Sequence, residues 1–277
     1  MTILLPLLLL ANPAPTWEKN VTFATVGRDT VQFDAAIPAG SGPFPCVVVF
    51  HGGAWKYGSR ADTAGFAKQL AENGYVGVTA SYRLAPKYKW PAQIEDAKTV
   101  VRFLRANAAK YKLDPAKLGV LGFSAGGHLA AMLGTTDKDA GFDGGLFPNE
   151  SSRPQCVVDY FGPADLPLYA ESPGIEAAYF RSFLGGRFKD VPEVYKKASP
   201  MEYASKNAAP ILIVHGTADV IVPVIHSERF HKKLTEAGAA SELITVPGMG
   251  HGWGGAESER TTAATLKFLA KQLKGTP

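Results

Sequence analysis

Six runs of this chain are nearly continuously apolar: residues 46–50, 76–80, 118–123, 156–161, 211–215 and 243–246. A strand with one wet face alternates apolar with polar residues, so unbroken apolar runs need cover on both faces. Stretches of helical spacing at residues 63–73, 94–109, 125–133, 224–237 and 257–273 lie between and after the runs and can supply that cover. The alternation predicts an α/β fold with a mostly parallel sheet and helices on both sides. In the second of these helices Ile94, Ala97, Val101 and Leu104 recur at three- and four-residue spacing, which leaves Glu95, Lys98, Arg102 and Arg105 on the expected polar side.

Residues 21–25 and 30–37 are shorter strand candidates, split by Gly27, Arg28 and Asp29, and read as an antiparallel hairpin ahead of the main sheet. No repeat or linker interrupts the order, so residues 17–277 are expected to form one domain. Residues 165–208 fit neither pattern. About 44 residues rich in Pro, Tyr and Phe is long for a structural connection, so a lid or substrate loop is expected there, with a helix near residues 175–183. At the start, the apolar run at residues 3–11 is too short to cross a bilayer and lacks a basic segment before it. Residues 1–16 are therefore expected to be an export signal or a terminal arm. The chain is expected to be exported, or cytoplasmic if that run is not a signal.

A net charge of +4 is scattered, with no basic cluster beyond pairs such as Lys232 and Lys233, which argues against a nucleic-acid partner. Cys46 and Cys156 each open an apolar strand candidate and read as buried free thiols. The six histidines are dispersed, and none forms a ligand pair of the H-x-x-x-H kind, so no metal or other cofactor is expected.

Gly122-Phe123-Ser124-Ala125-Gly126-Gly127 joins a strand candidate to a helix of small residues. Flanking glycines allow a sharp strand-to-helix turn that exposes the Ser124 hydroxyl, the setting of a nucleophile. A serine is a poor nucleophile unless a base reaches it and a third group orients that base. Asp219, just past an apolar run, is the candidate acid, with Asp159 and Asp165 as competitors; His251, in a glycine-rich loop after the last run, is the candidate base. Donors for a developing oxyanion are expected from the loop holding Gly52, Gly53 and Ala54 and from the amide of Ala125. His51 and His128 read as structural. Trp55, Tyr57, Phe161, Tyr169, Tyr179, Phe180 and Trp253 lie in or beside these loops and are the candidate walls of a substrate pocket.

These residues sit within His51-Gly52-Gly53-Ala54-Trp55, Ser81-Tyr82-Arg83-Leu84-Ala85-Pro86, Trp90-Pro91-Ala92-Gln93-Ile94-Glu95-Asp96, His215-Gly216-Thr217-Ala218-Asp219 and Gly250-His251. The set resembles the α/β-hydrolase superfamily, within it the bacterial feruloyl-esterase-like and hormone-sensitive-lipase-like carboxylesterases. The resemblance implies an eight-stranded sheet, a Ser124, Asp219 and His251 triad, and an oxyanion hole of Gly53, Ala54 and Ala125. Hormone-sensitive-lipase-like enzymes usually carry three glycines after the histidine, where this chain has Ala54 after two; that pattern is closer to feruloyl-esterase-like and kynurenine-formamidase-like members. The hormone-sensitive-lipase-like relatives also carry a sizeable N-terminal cap, whereas here the hairpin begins almost at once, so any cover is expected to come mainly from residues 165–208. Arg83 is expected to bridge to Asp96.

The expected reaction is hydrolysis of short-chain or aromatic carboxylic esters through an acyl-enzyme, with acetyl or feruloyl esters of plant polysaccharide among the substrates. An amidase of the kynurenine formamidase type would use the same triad, and a non-catalytic binding module is the reading from a different class. The expected partners are a small-molecule or polysaccharide-linked ester, without stable membrane insertion, and the chain is expected to be a monomer or weak homodimer.

Overall fold

The structure is a computed structural model and describes residues 14–276. The apolar run at residues 3–11, on which the export expectation rests, lies outside the described residues. Strands β1 (Thr16–Val26), β2 (Asp29–Ile37), β3 (Phe44–Phe50), β4 (Val76–Ala80), β5 (Leu113–Phe123), β6 (Cys156–Tyr160), β7 (Ile211–Gly216) and β8 (Ser241–Val246) form one sheet in the order β1-β2-β4-β3-β5-β6-β7-β8. β1 and β2 form the antiparallel hairpin and β2 runs antiparallel to β4; all pairs from β4 to β8 are parallel.

The longer helices are α1 (Ala64–Glu72), α2 (Ala92–Ala106) and α3 (Ala125–Thr135), then, after the short α4 (Pro173–Ile175), α5 (Arg181–Leu184) and α6 (Pro192–Lys197), α7 (Ile225–Glu236) and α8 (Gly255–Lys274). Side chains alternate across a strand, so each buried strand feeds two cores. Cys46, Val48 and Phe50 of β3 pack with Val101, Leu104, Leu129 and Phe230 beneath α2, α3 and α7. Val47 and Val49 pack with Leu70, Phe268, Leu269 and Leu273 beneath α1 and α8. Both cysteines are free and fully buried, and burial pushes their thiols far up from the ordinary value. Parallel strands end at a common edge, and the loops that leave β3, β5, β7 and β8 there build the site.

One face of α2 departs from expectation. Lys98, Arg102 and Arg105 are buried, not on a wet polar side. Residues 136–155, between α3 and β6, fold over them. Asp143 lies 3.0 Å from Lys98 Nζ and 3.3 Å from Arg102, while the carbonyls of Leu146 and Arg153 accept from Arg102 Nε at 2.9 Å and from Arg105 at 2.7 Å. Helical periodicity distinguishes apolar from charged positions, but a covering segment rich in acceptors can bury a charged stripe. Arg83 bonds Asp96 at 2.8 Å and Glu95 at 3.0 Å, tying the loop after β4 to the start of α2.

The segment between β6 and β7 is helical in pieces. A π-helical turn, Glu176–Phe180, links α4 to α5, so a helix does run through residues 173–184. Glu176 is buried and staples it, accepting from Arg181 at 3.1 Å and from the Phe188 amide at 2.6 Å.

Candidate active site

Ser124 stands between the last residue of β5 and the first of α3, with φ 53° and ψ −116°. A non-glycine residue held there carries strain of order 1–3 kcal/mol. The turn is held by the Ser124 amide donating to Tyr160 O at 2.8 Å and the His128 amide donating to Ser124 O at 2.9 Å. Only glycine lets the helix start this close to the sheet: a Cβ on Gly122 would lie 2.0 Å from Gly126 O, and one on Gly126 2.2 Å from Phe50 O.

Asp219 follows β7. Its Oδ1 accepts from the amides of Ile221 and Val222, both at 2.9 Å, and its Oδ2 faces His251 Nδ1 at 2.6 Å. His215, the penultimate residue of β7, approaches the same Oδ2 with Nε2 at 3.3 Å. That Nε2 lies 2.7 Å from Val222 O, which can only accept, so it carries the proton, and His215 Nδ1 accepts from Ser227 Oγ at 2.6 Å. Burial pushes the Asp219 carboxyl up, but the bonds from His215, His251 and Val222 outweigh it and hold the carboxyl well below the ordinary value. Asp159 and Asp165 are engaged elsewhere, with the Gly162 amide and with Arg229.

His251 sits in the loop after β8, where Gly252, with φ 106°, folds back so that its amide donates to Gly250 O at 2.9 Å. Because the Asp219 carboxylate only accepts, His251 Nδ1 donates to it, and the lone pair on Nε2 points at Ser124 Oγ, 2.8 Å away. The arrangement can move a proton from the Ser124 hydroxyl to the imidazole.

The loop after β3 closes the site. Gly53 has φ 106°, and a Cβ there would meet Tyr57 O at 2.2 Å, because Gly53 O accepts from the amides of Lys56 and Tyr57 at 3.0 and 2.9 Å. His51 bonds Gly52 O at 2.7 Å and stacks on Tyr82 at 4.3 Å. His128 bonds Ala198 O at 2.6 Å and accepts from Trp55 at 3.2 Å. Both serve the framework of the site.

A cavity of about 220 Å³ opens over Ser124, with Gly53, Ala54, Ala125 and His251 at its base. Trp55, Tyr57, Tyr169, Tyr179 and Phe180 line it, joined by Pro163, Ile175, Ile221 and Val222, and no Asp, Glu, Lys or Arg side chain is among the lining residues. Two expected wall residues lie elsewhere. Phe161 packs behind the His251 ring at 4.7 Å, and Trp253, bonded to Thr261 at 3.0 Å, joins it in a separate cleft with Phe66 and Phe123. Closeness in sequence to Asp159 or His251 sets distance from the site but not the side of the sheet edge. The aliphatic wall carries one sequence signal, Ile221 and Val222 in the apolar run that starts at Val220 directly after Asp219; His215 carries another, its place four residues before that carboxylate. Among the described residues no group of three His, Cys, Asp or Glu side chains is placed to hold a metal ion, and no helix is long and apolar enough to cross a membrane.

Compared with known proteins, residues 33–234 match the BD-FAE family model. The chain belongs to the BD-FAE family. This BD-FAE member is 35 % identical over 239 residues to Esterase LipC of Mycobacterium tuberculosis (strain ATCC 25618 / H37Rv), covering 82 % of its own chain and 58 % of LipC. It spans about half the length of the curated relatives it matches. Among solved structures, a truncated form of carbohydrate esterase from gut microbiota superimposes with a TM-score of 0.82 at 27 % identity, over 94 % of this chain and 98 % of that one. Thermogutta terrifontis esterase 2 phosphorylated by paraoxon gives 0.78 at 25 % identity, over 94 % and 95 %. The BD-FAE member thus has the α/β-hydrolase fold and is related to Lip-type and carbohydrate esterases.

Proposed function

We propose that this chain hydrolyses carboxylic esters through an acyl-enzyme on Ser124. The observation that carries the reading is the continuous contact from Asp219 Oδ2 to His251 Nδ1, 2.6 Å, and from His251 Nε2 to Ser124 Oγ, 2.8 Å, at the base of an apolar cavity. His251 takes the hydroxyl proton as Ser124 Oγ bonds to the ester carbonyl carbon, and the carbonyl oxygen gathers the charge. Gly53 and Ala54, from the loop after β3, and Ala125, whose amide is among those left free at a helix start, supply the oxyanion donors. Protonated His251 then gives its proton to the departing alcohol, and water returns Ser124 by the same steps.

The uncharged, aromatic and aliphatic lining favours a neutral short-chain or aromatic acyl group. Likeness to a structure described as a carbohydrate esterase supports an ester borne on carbohydrate, and within that class our reading is acetyl or feruloyl groups on plant polysaccharide. A panel of p-nitrophenyl esters from acetyl to feruloyl, with N-formylkynurenine as the amide arm, tests both levels. Ester turnover with burst kinetics, reduced about 10⁴-fold or more in Ser124→Ala, is the expected result. Faster turnover of the amide, or activity that survives Ser124→Ala, would reverse it.

A further inference from the structure

Ala54 and Trp55 are consecutive residues with positive φ, 51° and 58°, in the loop that lines the cavity beside Ser124. Glycines would adopt these angles unaided, but here the backbone has to be held. Trp55 is 2 % exposed and is held on two sides. Its Nε1–H donates to His128 Nδ1 at 3.2 Å, and its ring stacks on Phe183 at 4.2 Å with planes 1° apart. His128 lies on the helix that Ser124 opens; since its Nδ1 accepts, its Nε2 carries the proton and donates to Ala198 O at 2.6 Å. Phe183 and Ala198 both belong to residues 165–208. From the next position in the loop, Lys56 Nζ donates to Ala178 O at 3.2 Å. Burial pushes His128 down to about 4, so Nδ1 remains an acceptor throughout the neutral range.

We propose that Trp55 and His128 form a buried latch through which residues 165–208 fix the positions of the Gly53 and Ala54 amides, making both side chains positioning residues for the oxyanion site. The inference rests on the ester-hydrolysis reading. It gives the insertion a second role: the segment that shapes the acyl pocket also sets the donors that meet the developing charge. A slack latch therefore weakens binding of the transition state and leaves ground-state binding of a small ester nearly untouched.

The test uses Trp55→Phe, which keeps a ring on Phe183 and loses the N–H, His128→Phe, and the double variant. On p-nitrophenyl acetate each single variant is expected to lower kcat roughly 10- to 100-fold with KM within about two-fold. Affinity for a trifluoromethyl ketone, to whose carbonyl carbon Ser124 Oγ adds while its proton passes to His251, is expected to fall in the same ratio. The double variant is expected to be no worse than the poorer single one, because the two residues act as one unit. Hydrogen exchange at amides 52–57 is expected to speed up in Trp55→Phe whatever the substrate proves to be. Should His128→Phe fail to fold, Trp55→Phe decides alone through exchange and ketone affinity. Unchanged exchange in Trp55→Phe, a loss confined to KM, or losses that multiply in the double variant would each overturn the latch. Loss of ester turnover from the unaltered chain would instead overturn the functional reading, with the exchange measurement still judging the latch.

Discussion

Strand β6 and the loop after its neighbour β7 each place a buried carboxylate near the edge where the site forms, and the two are shifted in opposite directions. Asp159 accepts from the Gly162 amide at 2.9 Å, and burial pushes its carboxyl up to about 6. Asp219 is also buried, but two amides and two imidazoles face its oxygens, and its carboxyl is held well below the ordinary value. Burial disfavours charge at both places; the number of donors decides whether the carboxyl is shifted up or down from its ordinary value. A negative charge facing His251 is what an imidazole needs if it is to accept a proton from Ser124.

The difference can be broken most directly by removing each charge. Asp219→Asn is expected to lower kcat on p-nitrophenyl acetate by about 10⁴-fold with the fold retained, because the amide disturbs the tautomer of His251. Asp159→Asn should stay within about three-fold, and comparable losses from both variants would erase the distinction.

Stability against pH gives the next largest effect. The folded chain holds the Asp159 proton up to about pH 6, against 3.8 for an ordinary carboxyl, so it binds more protons than the unfolded chain in that window. Stability attributable to Asp159 is therefore present below the window and falls as pH rises through it, by up to about 3 kcal/mol. Asp219 has the opposite sign: its contribution is complete above the ordinary value of 3.8 and is lost as pH falls below it. Urea unfolding of the unaltered chain and Asp159→Asn between pH 3 and 7 is expected to show the variant gaining on the parent as pH rises from 4 to 6. Parallel curves would contradict it.

The smallest expected effect concerns His215. His215→Gln, which removes the imidazole 3.3 Å from Asp219 Oδ2, should lower kcat roughly ten-fold. A kcat equal to that of the parent would show that the two amides and His251 suffice.

Much of this arrangement is legible in the sequence. Unbroken apolar runs report strands covered on both faces, and β4 is found at residues 76–80 as read. Strand order is not legible: β4 lies between β2 and β3 because pairing partners leave no local trace. Ser124, Asp219 and His251 stand out because glycines beside two of them mark backbone angles that few residues adopt, and the structure brings all three within hydrogen-bond reach. Lys98, Arg102 and Arg105 mislead because charge on a helix is read as exposure, whereas their partners are largely carbonyls and one carboxylate from a segment with no periodicity of its own. Phe161 and Trp253 mislead for another reason: an aromatic residue beside a site has two sides to choose from.

Cys46 and Cys156, the only cysteines of the chain, are sealed in the sheet, where burial pushes their thiols far up from the ordinary value. The native protein therefore offers alkylating reagents no reactive thiol. A reporter introduced as Ala177→Cys, at an exposed position on the π-helical turn, would carry the only accessible thiol and could follow that turn in real time as ester is consumed.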